Sequence, residues 1–259
     1  MLLRRLITLF FLPIALILSA QGHRGMNEPP LNQALLELPA IQPTDTILSY
    51  TGFTVSYNTD QLIPNWVAYE LTAEELDGDV PRAKSFSMDL SYNGRQAMRE
   101  DYSNTGWDKG HMAPSADMKW SLTAMTESFY LTNICPQNPD LNGRDWHILE
   151  NRVRDWARRY GRVWVVCGPL VSDNHYGTIG ERQVTVPDGF FKAVLRQESD
   201  GTYCAIAFFF ENSSIRQPLK DAVITVDDLE VLAGYDLFPN LDDSIEEVVE
   251  STASWEAWR

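Results

Sequence analysis

Positive charge is scarce in this sequence. Its 259 residues carry 21 Lys and Arg against 36 Asp and Glu, for a formal net charge of −15. On its face that balance argues against a nucleic-acid partner, because such proteins usually neutralise phosphate with excess Lys and Arg. Cysteine is scarce too: Cys135, Cys167 and Cys204 are too few for a disulfide scaffold, and none falls in a C-x-x-C. There is no Walker-type phosphate loop, no G-x-G-x-x-G after a strand and no G-x-S-x-G, so the commonest nucleotide-binding and serine-hydrolase signatures are missing. The four histidines, His23, His111, His147 and His175, are dispersed without zinc-ligand spacing. Beyond residue 20 no apolar run is long and uncharged enough to cross a bilayer. Wholesale disorder is excluded by a hydrophobic content of 44%.

Residues 1–20, MLLRRLITLFFLPIALILSA, read as a signal peptide. Arg4 and Arg5 form a basic start, Leu6 to Leu18 an apolar core, and Ala20 or Gly22 offers a small-residue cleavage site. A retained anchor is the alternative, but the run falls short of the roughly 18–20 apolar residues that a spanning helix needs. The expected product is secreted or periplasmic, with no stable membrane association after cleavage. Residues 21–47, rich in Pro, Gln and Asn, read as a linker or arm.

Compact patterning runs over residues 48–239. TGFTVSYN reads as a strand, and NWVAYELT alternates Trp66, Ala68 and Glu70 against Val67, Tyr69 and Leu71, a strand with one wetter face. FYLTN reads as a further short strand. VWVVCG, PDGFFKAVLRQ and YCAIAFFF are apolar strands bounded by turns, and VDDLEVLAGY looks helical. Leu141 to Arg159 forms a helix whose Trp146, Leu149, Val153, Trp156 and Tyr160 make one apolar stripe, with Asn142 as its cap and Gly161 as its stop. Residues 240–259 turn acidic and read as a loosely held tail. Strands and helices without regular βα alternation predict an α+β domain. Cys167 and Cys204 fall on two buried strands and can pair only if those strands are neighbours; two ordinary core thiols are the alternative.

Chemistry concentrates in WDKGHMAPSADMKW. His111 follows Asp108, Lys109 and Gly110, and an oriented histidine can act as a general base. A single His in a polar loop is nevertheless more often ordinary than catalytic. Downstream, Asn142 offers a neutral oxygen ligand, and Glu150 and Arg154 lie one turn apart at what the pattern reads as a partly exposed helix edge. With both residues helical, Asn142 and Glu150 would stand about 12 Å apart, so a small hydrated cation would touch one directly and the other through its waters. Spacing alone favours the plainer reading of a helix cap and a Glu–Arg pair.

The ordered set Asp108-Lys109-Gly110-His111-Met112-Ala113-Pro114, Leu131-Thr132-Asn133-Ile134-Cys135-Pro136-Gln137 and Leu141-Asn142 … Trp146 … Leu149-Glu150 resembles the DNA/RNA non-specific endonucleases. These are ββα-metal nucleases with an Asp-Arg-Gly-His signature, and they include secreted bacterial and mitochondrial members. The likeness extends from Asn65-Trp66-Val67-Ala68-Tyr69 through Gly168-Pro169 and Pro187 … Phe191-Lys192 to Ala205-Ile206-Ala207-Phe208. It implies an α+β fold with a mixed or antiparallel sheet core, flanking helices and a ββα-metal motif. It implies an endonuclease that hydrolyses DNA and RNA without sequence preference and leaves 5′-phosphate ends. His111 would be the base, Asn142 the ligand of Mg²⁺ (with Mn²⁺ as a substitute), and Glu150 the holder of the metal's water shell. Arg154 and Arg82 would contact phosphate, Asp108 would support the loop or the metal, and Lys109 and Asn133 would lie against substrate. A homodimer is also compatible with such a family, though no motif decides it. Lys109 departs from the signature's arginine and loses its bidentate fork, the one feature in favour of a catalytically weak nuclease-fold protein that binds nucleic acid or a partner.

Overall fold

The computed structural model describes residues 35–172 and 174–259. The signal-peptide reading of residues 1–20 and most of the arm lie outside the described residues. Eleven strands follow one another as β1 (Thr46–Ser49), β2 (Thr54–Asn58), β3 (Ile63–Thr72), β4 (Asp108–His111), β5 (Ile134–Gln137), β6 (Arg162–Leu170), β7 (Thr178–Ile179), β8 (Val184–Thr185), β9 (Gly189–Gln197), β10 (Tyr203–Glu211) and β11 (Val223–Ile224). The helices are α1 (Leu122–Glu127), α2 (Pro139–Leu141), α3 (His147–Tyr160), α4 (Val226–Ala233) and α5 (Asp243–Glu250). Seven strands make one sheet in the order β1-β2-β3-β6-β9-β10-β11, with every ladder antiparallel. β4 and β5 pair separately, as do β7 and β8. This is the expected α+β architecture.

The central strands read as continuous apolar runs because both faces of the sheet are covered. On one face Val67, Tyr69, Val163, Val165, Phe190 and Phe208 pack with Leu149, Val153 and Trp156 of α3. On the other, Trp66, Ala68, Trp164, Val166, Phe191 and Ala207 pack with Val226 and Leu229 of α4 and Val249 of α5. The wetter face expected for β3 is therefore absent: Trp66, Val67, Ala68 and Tyr69 are all buried. FYLTN is not a strand either. Leu131–Asn133 form a 3-10 turn, and the ladder begins at Ile134.

Both ends of the compact unit extend further than the composition implies. Leu36 is already buried in the second core, so the arm from residue 35 onward belongs to the fold. The acidic tail is docked. Trp258 is 1% exposed, its ring lies 4.7 Å from that of Trp156, and its carbonyl accepts the Trp156 Nε1–H at 2.7 Å. Hydrophobic anchors at Val249, Trp255 and Trp258 outweigh the charge between them. All three cysteines are free. β9 lies between β6 and β10, and the register sets Cys167 in line with Phe208, so Cys204 is two strands across and four residues along the sheet from it, well beyond disulfide reach. Among the described residues no helix is long and apolar enough to cross a membrane.

Candidate active site

The site is built where the β4–β5 pair meets the start of α3. Gly110 is required within β4, because a Cβ there would stand 2.2 Å from Gln137 Oε1 and 2.7 Å from its Cβ. The strand can thus press against β5 and deliver His111 at its end, opposite Ile134. The His111 ring sits 5.2 Å from that of Phe86 and 4.9 Å from that of Phe129, and the Trp146 Nε1–H donates to its carbonyl at 3.3 Å. Its Nε2 is buried with no hydrogen-bond partner among the described residues. Burial, reinforced by the charge of Arg82, pushes the imidazole down to about 3, so it is held neutral. A neutral ring with a free nitrogen is a proton acceptor awaiting a donor.

Asn133 clamps the chain just past the histidine. Its side chain accepts from the Ala113 amide at 2.9 Å and donates to the carbonyls of Ala113 and Ser128, both at 2.9 Å. At 0% exposure it cannot touch substrate, which corrects the contact expected of it. It positions the loop behind His111.

The helix that follows begins earlier than the spacing predicts. Asn138 is the cap, accepting from the Asp140 amide at 2.9 Å, and Pro139 opens the first turn. Asn142 is thus inside the helical run, at the head of a π turn spanning Asn142–Trp146 before α3 begins. Such turns re-aim side chains within a helix and recur at functional sites. Here Asn142 Nδ2 donates to Asp108 Oδ2 at 2.9 Å, which fixes the amide plane. Gly161, at φ +82°, stops α3 as expected.

Glu150 and Arg154 do not share a partly exposed edge. Arg154 is 8% exposed and reaches across to Asp117, Nη1 to Oδ1 at 2.7 Å, while Nη2 donates to Asn151 Oδ1 at 2.8 Å. The Tyr69 hydroxyl donates to the other Asp117 oxygen at 3.1 Å. Asp117, which no spacing rule singles out, therefore ties α3 to the turn that follows His111. Glu150 faces His147 instead, Oε2 to Nδ1 at 3.8 Å, and this contact raises the His147 pKa.

Arg82 is exposed, donates to the Ser115 hydroxyl, and lies 5.0 Å over the ring of Phe129, the ring that also packs on His111. Lys109 is half-buried against aromatic faces, 5.1 Å from the Tyr102 centroid and 5.9 Å from Phe86. Burial and the charge of Arg99 lower its pKa. Phe86 and Phe129, which flank the histidine, carry no motif in the sequence.

The donor set fits a hard divalent cation. Asp108 on β4 holds the Asn142 amide through its nitrogen, no protein group donates to the Asn142 oxygen among the described residues, and a second carboxylate, Glu150, stands on α3, which continues from the π turn that carries Asn142.

A model of the DNA/RNA non-specific endonucleases matches residues 33–244. The chain belongs to this family. It is 33% identical over 243 residues to the mitochondrial nuclease EXOG of Mus musculus, covering 88% of this chain and 65% of that one. It is 33% identical over 245 residues to the mitochondrial endonuclease G of Bos taurus, covering 89% and 82% of the two chains. A solved structure of an EndoG/EndoGI complex superposes with a TM-score of 0.74 at 27% identity, over 81% of this chain and 91% of that one. Against four EXOG relatives, from mouse, human, zebrafish and Xenopus, the chain spans only 57–65% of their length. Enzymes of this family are generally dependent on a divalent metal. The relatives also overturn the secreted or periplasmic destination, since EXOG and endonuclease G are both mitochondrial nucleases. An arginine-bearing leader with no acid before Glu28 has the charge of an import presequence as much as of an export signal, so its composition could not decide between them.

Proposed function

We propose that this protein is a divalent-metal-dependent endonuclease that hydrolyses phosphodiester bonds in DNA and RNA without strong sequence preference. The observation that carries this reading is the neutral, unpartnered Nε2 of His111 on the same small scaffold as an Asn142 amide fixed by Asp108. His111 takes a proton from water as the water oxygen bonds to phosphorus and the bond from phosphorus to the 3′ oxygen breaks, leaving a 5′-phosphate. Asn142 would hold the metal, Mg²⁺ with Mn²⁺ as substitute, with Glu150 ordering its waters. When bound, the cation supplies positive charge to the phosphate and to the departing oxygen. Arg82, exposed beside the histidine, spreads charge on the phosphate, and Lys109 offers a second cation without the arginine fork. Arg154 acts behind them as the anchor of Asp117. Contacts of this kind address the backbone rather than base edges, which accounts for weak sequence preference.

The test is digestion of plasmid DNA and of RNA by the full chain with Mg²⁺ or with EDTA, beside His111→Ala and Asn142→Ala. Cleavage that needs metal and falls at least a hundredfold in His111→Ala supports the reading. Equal activity in wild type and His111→Ala ends it. A wild type that binds both polymers and cleaves neither shifts the assignment to a binding protein. Size-exclusion chromatography with light scattering settles whether the chain forms a homodimer.

A further inference from the structure

A second group of carboxylates lies on the other side of the sheet. Asp227 and Glu230 of α4 and Glu250, the last residue of α5, each offer an oxygen, and these oxygens lie within 4.8 Å of one another. Their helices pack on the face carrying Trp66, Trp164 and Ala207, whereas α3 packs on the opposite one. The sequence surrounding them offers no neutralising charge: residues 226–250 contain nine acids and no Lys, Arg or His. None of the ion pairs among the described residues includes any of the three. The charges acting most strongly on Glu250 are all acidic, from Glu230, Glu246, Asp236 and Asp227.

Glu250 distinguishes this group from an ordinary acidic surface. It is 5% exposed, one of its carboxylate oxygens lies within 4.8 Å of those of Asp227 and Glu230, and its Oε1 is buried with no hydrogen-bond partner among the described residues. A buried carboxylate oxygen without a donor carries a desolvation cost that a ligand would remove. Its position at the C-terminal end of a helix adds to that cost, since the helix dipole there is also negative. Glu230 is already oriented by the Leu237 amide, which donates to its Oε1 at 2.6 Å.

We infer that Asp227, Glu230 and Glu250 form a binding site for a hard divalent cation of the calcium class, separate from the catalytic centre, which fastens α5 to α4 over the sheet. The width of the group, at most 4.8 Å between oxygens, lies within the reach of one calcium ion, and the ligand set favours that class. Two oxygens on opposite sides of one calcium ion stand roughly 4.6–5.2 Å apart, against about 4.2 Å for magnesium, and calcium tolerates the irregular, water-completed shell that three side chains supply. The role is structural. The cation cross-links two short helices whose mutual contact is otherwise like-charged, and it holds the C-terminal cover on the second core.

The test is calorimetric titration of the EDTA-stripped full chain with CaCl₂, alongside thermal unfolding with and without the ion. Wild type, Asn142→Ala, Glu250→Gln and Asp227→Asn are compared. The expected result is a calcium-binding event and a raised Tm in wild type that both persist in Asn142→Ala. Affinity should fall at least tenfold in Glu250→Gln and in Asp227→Asn, with the calcium-induced rise in Tm lost. Asp227 is exposed, so its substitution keeps the test decisive should Glu250→Gln fold poorly. Calcium binding that vanishes in Asn142→Ala, or that is unchanged in both acidic-cluster variants, overturns the inference. So does a wild-type Tm indifferent to calcium, which would leave Glu250 as a protonated carboxyl sharing its hydrogen with a neighbour.

Discussion

Removing Arg154 tests whether the site is held together from beneath. Its partner Asp117 is fully buried, 2.7 Å away, and among the described residues has only the Tyr69 hydroxyl as its other side-chain donor. Arg154→Met keeps most of the stem volume and leaves the Asp117 carboxylate without a cation. Breaking a buried pair by deleting one partner costs about 3–5 kcal/mol, because the other charge stays desolvated. For a domain of this size each kcal/mol moves Tm by about 2–4 °C, so thermal unfolding followed by circular dichroism should fall by roughly 6–20 °C. The double variant Arg154→Met/Asp117→Leu removes the stranded charge and should recover most of that loss. Activity of the single variant should fall with the displaced loop even well below its Tm. An Arg154→Met protein with Tm within about 1 °C of wild type and no activity would refute this reasoning and make Arg154 a phosphate contact.

Asn133→Ala should cost about 2–4 kcal/mol in urea unfolding, since three buried backbone groups lose their partner, and should lower kcat more than it raises KM; an altered KM alone would return Asn133 to the substrate. Trp258→Ala should cost about 3–5 kcal/mol by stripping the cap from Trp156, and a loss under about 1 kcal/mol in the same assay would mean the tail is loosely held after all. His111 is held near pKa 3 in the fold against about 6.5 in the unfolded chain, so the folded state binds fewer protons across that window and stability drops as pH falls through it. At on the order of 1.4 kcal/mol per pH unit below 6.5, wild type should lose about 2 kcal/mol between pH 7 and 5 relative to His111→Gln, and identical urea midpoints at both pH values for the two proteins would contradict the buried, neutral histidine.

Features fixed by local pattern were legible in the sequence. VWVVCG and YCAIAFFF are apolar at every position because their sheet is covered twice, and the stripe from Trp146 to Tyr160 marks the one face of α3 that meets it. His111, Asn142 and Glu150 stand as candidates because an ordered motif names them, and their roles rest on the proposed function. What could not be read depends on distant partners. FYLTN has the apolar content of a strand, yet Phe129 turns onto the His111 ring and Asn133 spends its side chain on Ala113. Asp117 and Arg154 lie 37 residues apart, and neither carries a local sign that it will be buried. The C-terminal segment hides two tryptophans in an acidic stretch, where composition speaks louder than the few residues that anchor it.

The net charge of −15 then has a spatial meaning. Its densest block, residues 226–250, covers the face of the sheet turned away from His111. On the near side stand Arg82, Lys109 and helix α3, whose own residues supply four arginines against two acids. The two helical layers are separated by the sheet, on the order of 20 Å from axis to axis, against a screening length of about 8 Å at physiological ionic strength. A polyanion approaching the site therefore meets the local cations and any bound metal largely unopposed by the distal acids, which contribute repulsion only at long range and low salt. A total that appeared to exclude nucleic acid describes the back of the molecule, and the inference from net charge fails because it assigns one potential to two faces.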